Sequence, residues 1–308
     1  MIDFVGRRYW FMGFSLMVIV VGVAFLVLPP HLRLGIDFTS GTTFAIDFEQ
    51  EDPGTAVLRE ALAAAGHGDA VIQGAGERSY IVRTRDLGLA GVEPIRDQID
   101  ARTEASFLIP EVTTVGKSVA EDTIRNAIVA VLVASGFIMA YIAYAFRAVP
   151  KAYRYAVGAI VGVVHNVVIV LGLFAILGRI INAEVNAIFI VGILTVVGFS
   201  VHDTIVVFDR IRENVRLAPG RPFGQSVNLA IGETMIRSLG TSMTTILVIL
   251  AMLVIGGETL RDFLIVLLAG MVVGTYSSIF IAAQFVVSWE AGDLMFWRRR
   301  RSAEAPAT

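Results

Sequence analysis

Six long apolar runs set the rhythm of the chain: Phe11–Leu28, Ala127–Phe146, Ala156–Leu177, Ala187–Phe208, Leu239–Ile255 and Phe263–Val286. Each is 17 to 24 residues long, enough for a helix to cross a hydrocarbon layer of about 30 Å. Between the first two runs the period changes. Thr42–Phe48 alternates apolar and polar side chains, which predicts a half-buried strand. Pro53 opens an Ala/Leu-rich helical stretch, Thr55–Ala65, stopped at Gly66. Short strands are expected at Ala70–Gln73 and Ser79–Thr84, around the turn-forming Gly74-Ala75-Gly76-Glu77. A second helix over Gly91–Thr103 and a last strand over Ser106–Val115 complete the segment. The order βαββαβ is that of a ferredoxin-like split unit. The predicted fold is a polytopic α-helical membrane protein with six transmembrane helices and one α+β external domain between helices 1 and 2.

Composition supports this division. Of 308 residues, 56% are hydrophobic and 17% charged, and the mean hydropathy is +0.72. A soluble domain carries about a quarter charged residues, so a soluble globular enzyme is excluded. The absence of cysteine removes disulfides, thiol catalysis and cysteine-ligated metal centres. The net charge of −2 hides an uneven distribution: residues 29–126 hold 16 acidic and 9 basic side chains, net −7, and the remainder is net +5.

Charge near the span ends gives the topology. One set of flanks holds 14 positive residues, among them Arg7, Arg8, Arg147, Lys151, Arg154 and Arg298 to Arg301. The short loops on the other side hold two, Arg179 and Arg261. Both termini are therefore expected in the cytoplasm and the acidic segment outside. The first run has a basic flank, but its 18-residue core and the following Leu-Pro-Pro-His-Leu-Arg fit a retained anchor better than a cleaved signal peptide. The domain reading is residues 1–28 (cytoplasmic N-terminus and helix 1), 29–126 (external domain), 127–296 (helices 2–6, with a cytoplasmic loop at 209–236) and 297–308 (a basic cytoplasmic tail). The arginines of 209–236 and of the tail read as topology signals and attraction to anionic membrane lipids, with no nucleic-acid partner.

Candidate chemistry lies inside the spans, where ionisable side chains are costly. Asp203 is the carboxylate well within an apolar run, five residues before Phe208, or about 7–8 Å from that end at 1.5 Å per residue. His202 and Thr204 flank it, and His165-Asn166 occupy the middle of the third span. The histidines read first as interhelical hydrogen-bonding groups and second as a proton relay. Arg237 stands at the start of the fifth span. By spacing it reads first as an arginine snorkelling to headgroups, and second as the cation for Asp203. A pair that forms and breaks would act as a protonation switch, since pairing favours the anion and separation favours proton uptake. Gly158/Gly162 and Gly270/Gly274 are GxxxG spacings that allow close helix packing. In the external segment no catalytic constellation is visible, and His67, between two glycines, reads as a solvated loop residue.

The run VGFSVHDTIVVFDRIREN at 197–214 resembles the signature of the SecF proteins of the bacterial protein-export machinery, within the SecD/SecF family. The resemblance continues in GIDFTSGT at 35–42, SVNLAI at 226–231 and RSLGTS at 237–242, in the expected order. It departs at Ser40, where the family has the first of two glycines, and at Leu217–Pro222, which is short and poor in lysine. The resemblance implies a bacterial inner-membrane location and a SecD partner with six spans of its own. It also implies a pseudo-symmetric bundle like that of resistance–nodulation–division transporters, association with the SecYEG channel, and use of the proton gradient to draw a translocating preprotein outward. It implies that Asp203 and Arg237 are proton-path residues; His202, Thr204, His165 and Asn166, read from the spans themselves, are the supporting polar groups. No cofactor, metal or catalytic residue is implied, and the protein is not expected to be an enzyme. The coupling ion is the proton, with sodium as the alternative. The moving part would be the external domain, linked through Leu34–Thr42 and Val115–Arg125.

Three other readings stay open on the residues. A proton-coupled small-molecule or lipid antiporter half would use the same Asp203, although an external segment of about 98 residues is too small to enclose a drug pocket by itself. An intramembrane serine protease built on Gly198-Phe199-Ser200 would need a base within reach. Phe263–Val286 contains no histidine, so His165 would have to serve. A binding module without energy coupling predicts that Asp203→Asn is silent.

Overall fold

The computed structural model describes residues 2–292 apart from 30, 50, 89–90 and 148–150, with the side chains of 258 and 259 also left aside. The expected tail at 297–308 lies outside the described residues. In chain order the elements are α1 (Arg8–Val27), α2 (Ile36–Thr39), β1 (Gly41–Phe48), α3 (Gly54–Ala64), β2 (Val71–Gly74), β3 (Ser79–Thr84), α4 (Glu93–Asp100), β4 (Phe107–Leu108) and β5 (Val112–Val115). Then follow α5 (Lys117–Ala145), α6 (Tyr153–Ile180), α7 (Ala187–Leu217), α8 (Phe223–Ile255), α9 (Glu258–Ser277), a π-helical turn at Ser278–Ala282, and α10 (Ala283–Glu290). Among the described residues, six helices are long and apolar enough to span a membrane: α1, α5, α6, α7, α8 and the continuous stretch Leu260–Glu290.

The chain divides into two compact units. One contains 1–32, 130–179 and 189–308; the other contains 33–129 together with 180–188. In the second unit, an antiparallel sheet runs β2-β3-β1-β4, with β5 also on β1. The register sets Ile46 opposite Tyr80, Phe44 opposite Val82 and Val112, and Ile72 opposite Val82. Alternate residues of β1, Phe44, Ile46 and Phe48, turn inward and meet Leu58 and Leu62 of α3 and Ile95 and Ile99 of α4 in one buried core. This is the period-2 pattern of Thr42–Phe48 expressed as packing. The expected last strand, Ser106–Val115, is instead two short pieces. Pro110 lies between them, and a proline has no N–H to give to a ladder.

The turn at Ser40-Gly41 takes the backbone from α2 into β1. Gly41 has φ 138°, and a Cβ there would sit 2.5 Å from the Thr84 carbonyl oxygen. Ser40 has φ 62° and ψ 160°, a region that favours glycine almost exclusively. The serine therefore holds a strained conformation that a glycine would occupy freely.

In the helical unit, α6, α7 and the α9–α10 stretch hold the largest buried shares, and α1, α5 and α8 are exposed along most of their length. The glycine spacings mark close contacts. A Cβ on Gly270 would lie 2.2 Å from Val196 Cγ2, and one on Gly274 would lie 3.2 Å from Ser200 Cβ. One GxxxG pair on α9 thus meets two residues spaced by four on α7. Gly158 of α6 likewise faces Val286 and the Ala282 carbonyl.

The loop expected at 209–236 is helical over most of its length. α7 continues to Leu217 and α8 starts at Phe223, leaving a turn at 218–222. Arg210 bridges to Glu233 at 2.7 Å, Asn214 donates to the same carboxylate at 2.9 Å, and Arg210 also pairs with Glu213. These polar contacts zip two amphipathic helices into a hairpin, which a loop reading based on polarity overlooks. Asn228 of α8 then receives the N-terminal segment: its Oδ1 accepts from the Phe4 and Val5 amides at 2.7 and 3.2 Å.

Candidate functional site

Asp203 lies on the inward face of α7 and is 6% exposed. The hydrophobic residues of this helix at Val196, Val197, Val201, Val207 and Phe208 are buried around it. A carboxylate in such surroundings must find partners, and it finds two. Ser238 Oγ of α8 donates to Oδ1 at 2.5 Å, and Ser278 Oγ of the π-helical turn donates to Oδ2. Three spans thus converge on one acid. The π turn positions its share of the site: π-helical turns are rare and mark functional places in helices, and this one begins at Ser278 itself.

The chemistry of the shell is informative. A serine hydroxyl both donates and accepts and can rotate. Two hydroxyls facing one carboxyl can donate to the anion, and either can turn to accept from the protonated acid. The shell therefore accommodates both protonation states without rearranging the backbone.

The expected Asp203–Arg237 pair is not formed. Arg237 is exposed on α8, one residue before Ser238. Adjacent residues on a helix do not share a face, so turning Ser238 toward Asp203 turns Arg237 away. His202 is likewise exposed, by the same rule applied to α7. Thr204 is buried, but its hydroxyl donates back to the Ser200 carbonyl at 2.8 Å.

His165 and Asn166 are brought into a second polar chain. Asn166 Nδ2 donates to Ser200 Oγ at 2.7 Å, and its Oδ1 lies 3.0 Å from His165 Nδ1. Nδ1 must carry the proton to bond that oxygen, which leaves Nε2 to accept from Ser15 Oγ of α1. The chain runs from α1 through α6 to α7, and it ends one helical turn from Asp203. It provides the interhelical hydrogen bonds read as the first role of His165.

Sequence reasoning missed the hydroxyls. Ser238 and Ser278 hold the acid, with Ser242 and Thr275 bonded to each other at 2.5 Å nearby in sequence. A signal existed in the spacing: Ser238/Ser242 and Thr275/Ser278 each place two hydroxyls on one helix face. Gln284 was also missed. It is fully buried, and neither amide atom meets a hydrogen-bond partner among the described residues.

Comparison with known proteins bears on this geometry. The family model described as "Protein export membrane protein SecD/SecF, C-terminal" matches residues 96–292. A "Protein translocase subunit SecF" of Thermobaculum terrenum is 43% identical over 323 aligned positions, covering the whole of both chains. A "Protein translocase subunit SecDF" of Thermus thermophilus is 36% identical over 91% of this chain and 36% of its own length. The crystal structure of a SecDF from Thermus thermophilus, described as a translocon-associated membrane protein, superposes with a TM-score of 0.82 at 34% identity. It is matched over 94% of this chain and 39% of the SecDF chain, so this chain spans about two fifths of that molecule.

Proposed function

The chain belongs to the SecD/SecF family of protein-export membrane proteins, and from that premise we propose that it is an accessory subunit of the Sec translocase that uses the proton motive force, together with SecD, to promote preprotein export. SecDF relatives carry a matching segment within a longer chain, which supports a SecD-type protein as the physical partner. The SecYEG channel and the translocating preprotein are the further partners of this reading. It takes both termini as cytoplasmic, on the 14-to-2 bias of basic flanks. The 29–126 segment is then the external domain, and its β2-β3-β1-β4 antiparallel order supports a ferredoxin-like βαββαβ unit.

The observation that carries the proposal is Asp203: a buried carboxylate held by hydroxyls from two other spans, in a shell that tolerates both protonation states. Arg237 stands beside this site on the exposed face of α8, with Gly240, Thr241 and Thr244 also exposed. A guanidinium and small polar residues on a spanning helix are poorly matched to lipid. This face is therefore assigned to the partner subunit, and Arg237 to the proton path between the two. The coupling ion of this reading is the proton, and no resident cofactor enters the scheme. One charge moving across the potential is worth about 2.3 kcal/mol per 100 mV, about a fiftyfold shift in a two-state equilibrium.

The test is late-stage preprotein release in cells co-expressing this chain with its SecD-type partner, with and without a protonophore. Asp203→Asn in an assembled complex is expected to match uncoupled wild type and to lose sensitivity to the protonophore. Normal, gradient-sensitive export by Asp203→Asn would make the carboxylate structural.

A further inference from the structure

The motif GIDFTSGT at 35–42 and the connection between α6 and α7 meet within the external unit. Leu34 and Val185 form a parallel β-bridge. Gly35 N–H donates to the Val185 carbonyl at 2.8 Å, and Val185 N–H to the Arg33 carbonyl at 2.9 Å. The approach is close: a Cβ on Gly35 would sit 3.2 Å from Asn186 Cβ and 3.3 Å from the Val185 oxygen. Asp37 Oδ2 accepts from the backbone N–H of Ala187, the first residue of α7, at 2.8 Å. A carboxylate there satisfies an orphan helix donor and faces the positive end of the helix dipole. Finally, Arg83, the penultimate residue of β3, pairs with Glu184, with side-chain exposures of 21% and 9%.

These contacts have one target. Each ends on the residues that immediately precede or begin α7, and α7 runs without interruption to Asp203, 16 residues beyond Ala187, or about 24 Å at 1.5 Å per residue. We propose that Asp37, Arg83 and Glu184 form a coupling clasp that passes displacement of α7 to the external sheet when Asp203 changes protonation state. The proposal rests on the proton-coupling reading above. The three are positioning residues and exchange no proton. A largely desolvated ion pair is a weak source of stability but favours one register, because parting the two charges loses the attraction that offsets their desolvation. Register is what a transmission element needs. The covalent links at Leu34–Thr42 and Val115–Arg125 would otherwise have to carry the motion, and the first of them is itself held by the clasp.

The experiment uses the complex of this chain with its SecD-type partner in sealed vesicles and reads two quantities, gradient-driven preprotein export and Asp203-dependent proton flux. Arg83→Glu and Glu184→Arg are each expected to cut export about tenfold while flux stays within about twofold of wild type. The double swap is expected to restore export, and Asp37→Asn to give a partial loss of the same kind. Normal export in both single variants overturns the clasp. So does a parallel loss of export and flux that the double swap fails to restore, because the pair then serves folding and not transmission. Failure of the underlying reading looks different: the unmutated complex itself shows no flux that depends on Asp203, and the clasp falls with it.

Discussion

Asp203 is defined by what donates to it. Both carboxyl oxygens receive a serine hydroxyl, so removing one donor leaves half of a buried acid unserved, at a cost of about 1–3 kcal/mol. Ser278→Ala and Ser238→Ala are therefore expected to lower gradient-driven export about tenfold or more. Ser278→Thr, which keeps the hydroxyl, is expected to retain most of it. Equal export in the alanine and threonine variants would remove the hydroxyls from the mechanism. Ser40 makes the opposite kind of prediction. Its φ of 62° with ψ 160° costs about 1–3 kcal/mol for a side chain, against about 0.5–1 kcal/mol of extra chain entropy for glycine. Ser40→Gly should stabilise the sheet-bearing unit by about 1 kcal/mol, read as slower amide exchange in β1 and β3. Tyr80 supplies a pH dependence. Burial raises its phenol from 10.0 to about 12, with help from the Asp52 carboxylate that its hydroxyl contacts at 2.7 and 2.8 Å. Between pH 10 and 12 the unfolded chain then binds fewer protons than the folded one. Stability should be intact below pH 10 and fall across that window, with a slope that is shallower in Tyr80→Phe.

At the scale of elements, the site depends on how closely α7 and α9 approach. Gly270 and Gly274 present no side chain to Val196 and Ser200, so helix backbones can close in without voids. Gly270→Ala would force a methyl to 2.2 Å from Val196 Cγ2 and should destabilise the bundle by about 1–3 kcal/mol. Val196→Ala in the same chain should recover most of that loss, as judged by thermal unfolding in detergent. Much at this scale was legible in the sequence. The six spans stood out because water-soluble folds rarely need apolar runs of that length, and β1 because its alternation matches its burial. Asp203 was conspicuous because a carboxylate inside an apolar run has a high energetic cost. Its partners were not legible: serines in membrane helices are common, and only the packing of three helices selects Ser238 and Ser278. The expected Asp203–Arg237 pair follows from charge complementarity, which says nothing about helical phase. How far α7 and α8 extend through 209–236 is not legible from polarity, because the facing side chains, Arg210, Asn214 and Glu233, are polar and pair with one another.

At the scale of the whole molecule, α7 begins among residues of the sheet-bearing unit and carries the buried acid 16 residues after Ala187. Meanwhile α1, α5 and α8 present mostly exposed surfaces, one of which bears Arg237. In the proposed reading the acid lies inside the bundle and the guanidinium faces the partner subunit. The family places the chain in protein export, and the proposal gives Asp203 the proton-coupling step. The most direct measurement is proton flux through the reconstituted complex in vesicles bearing an imposed gradient, wild type against Asp203→Asn at matched assembly. The account predicts preprotein-dependent flux in wild type and none above background in Asp203→Asn. Undiminished flux in Asp203→Asn would contradict it, because the acid that three spans enclose would then take no part in moving the proton.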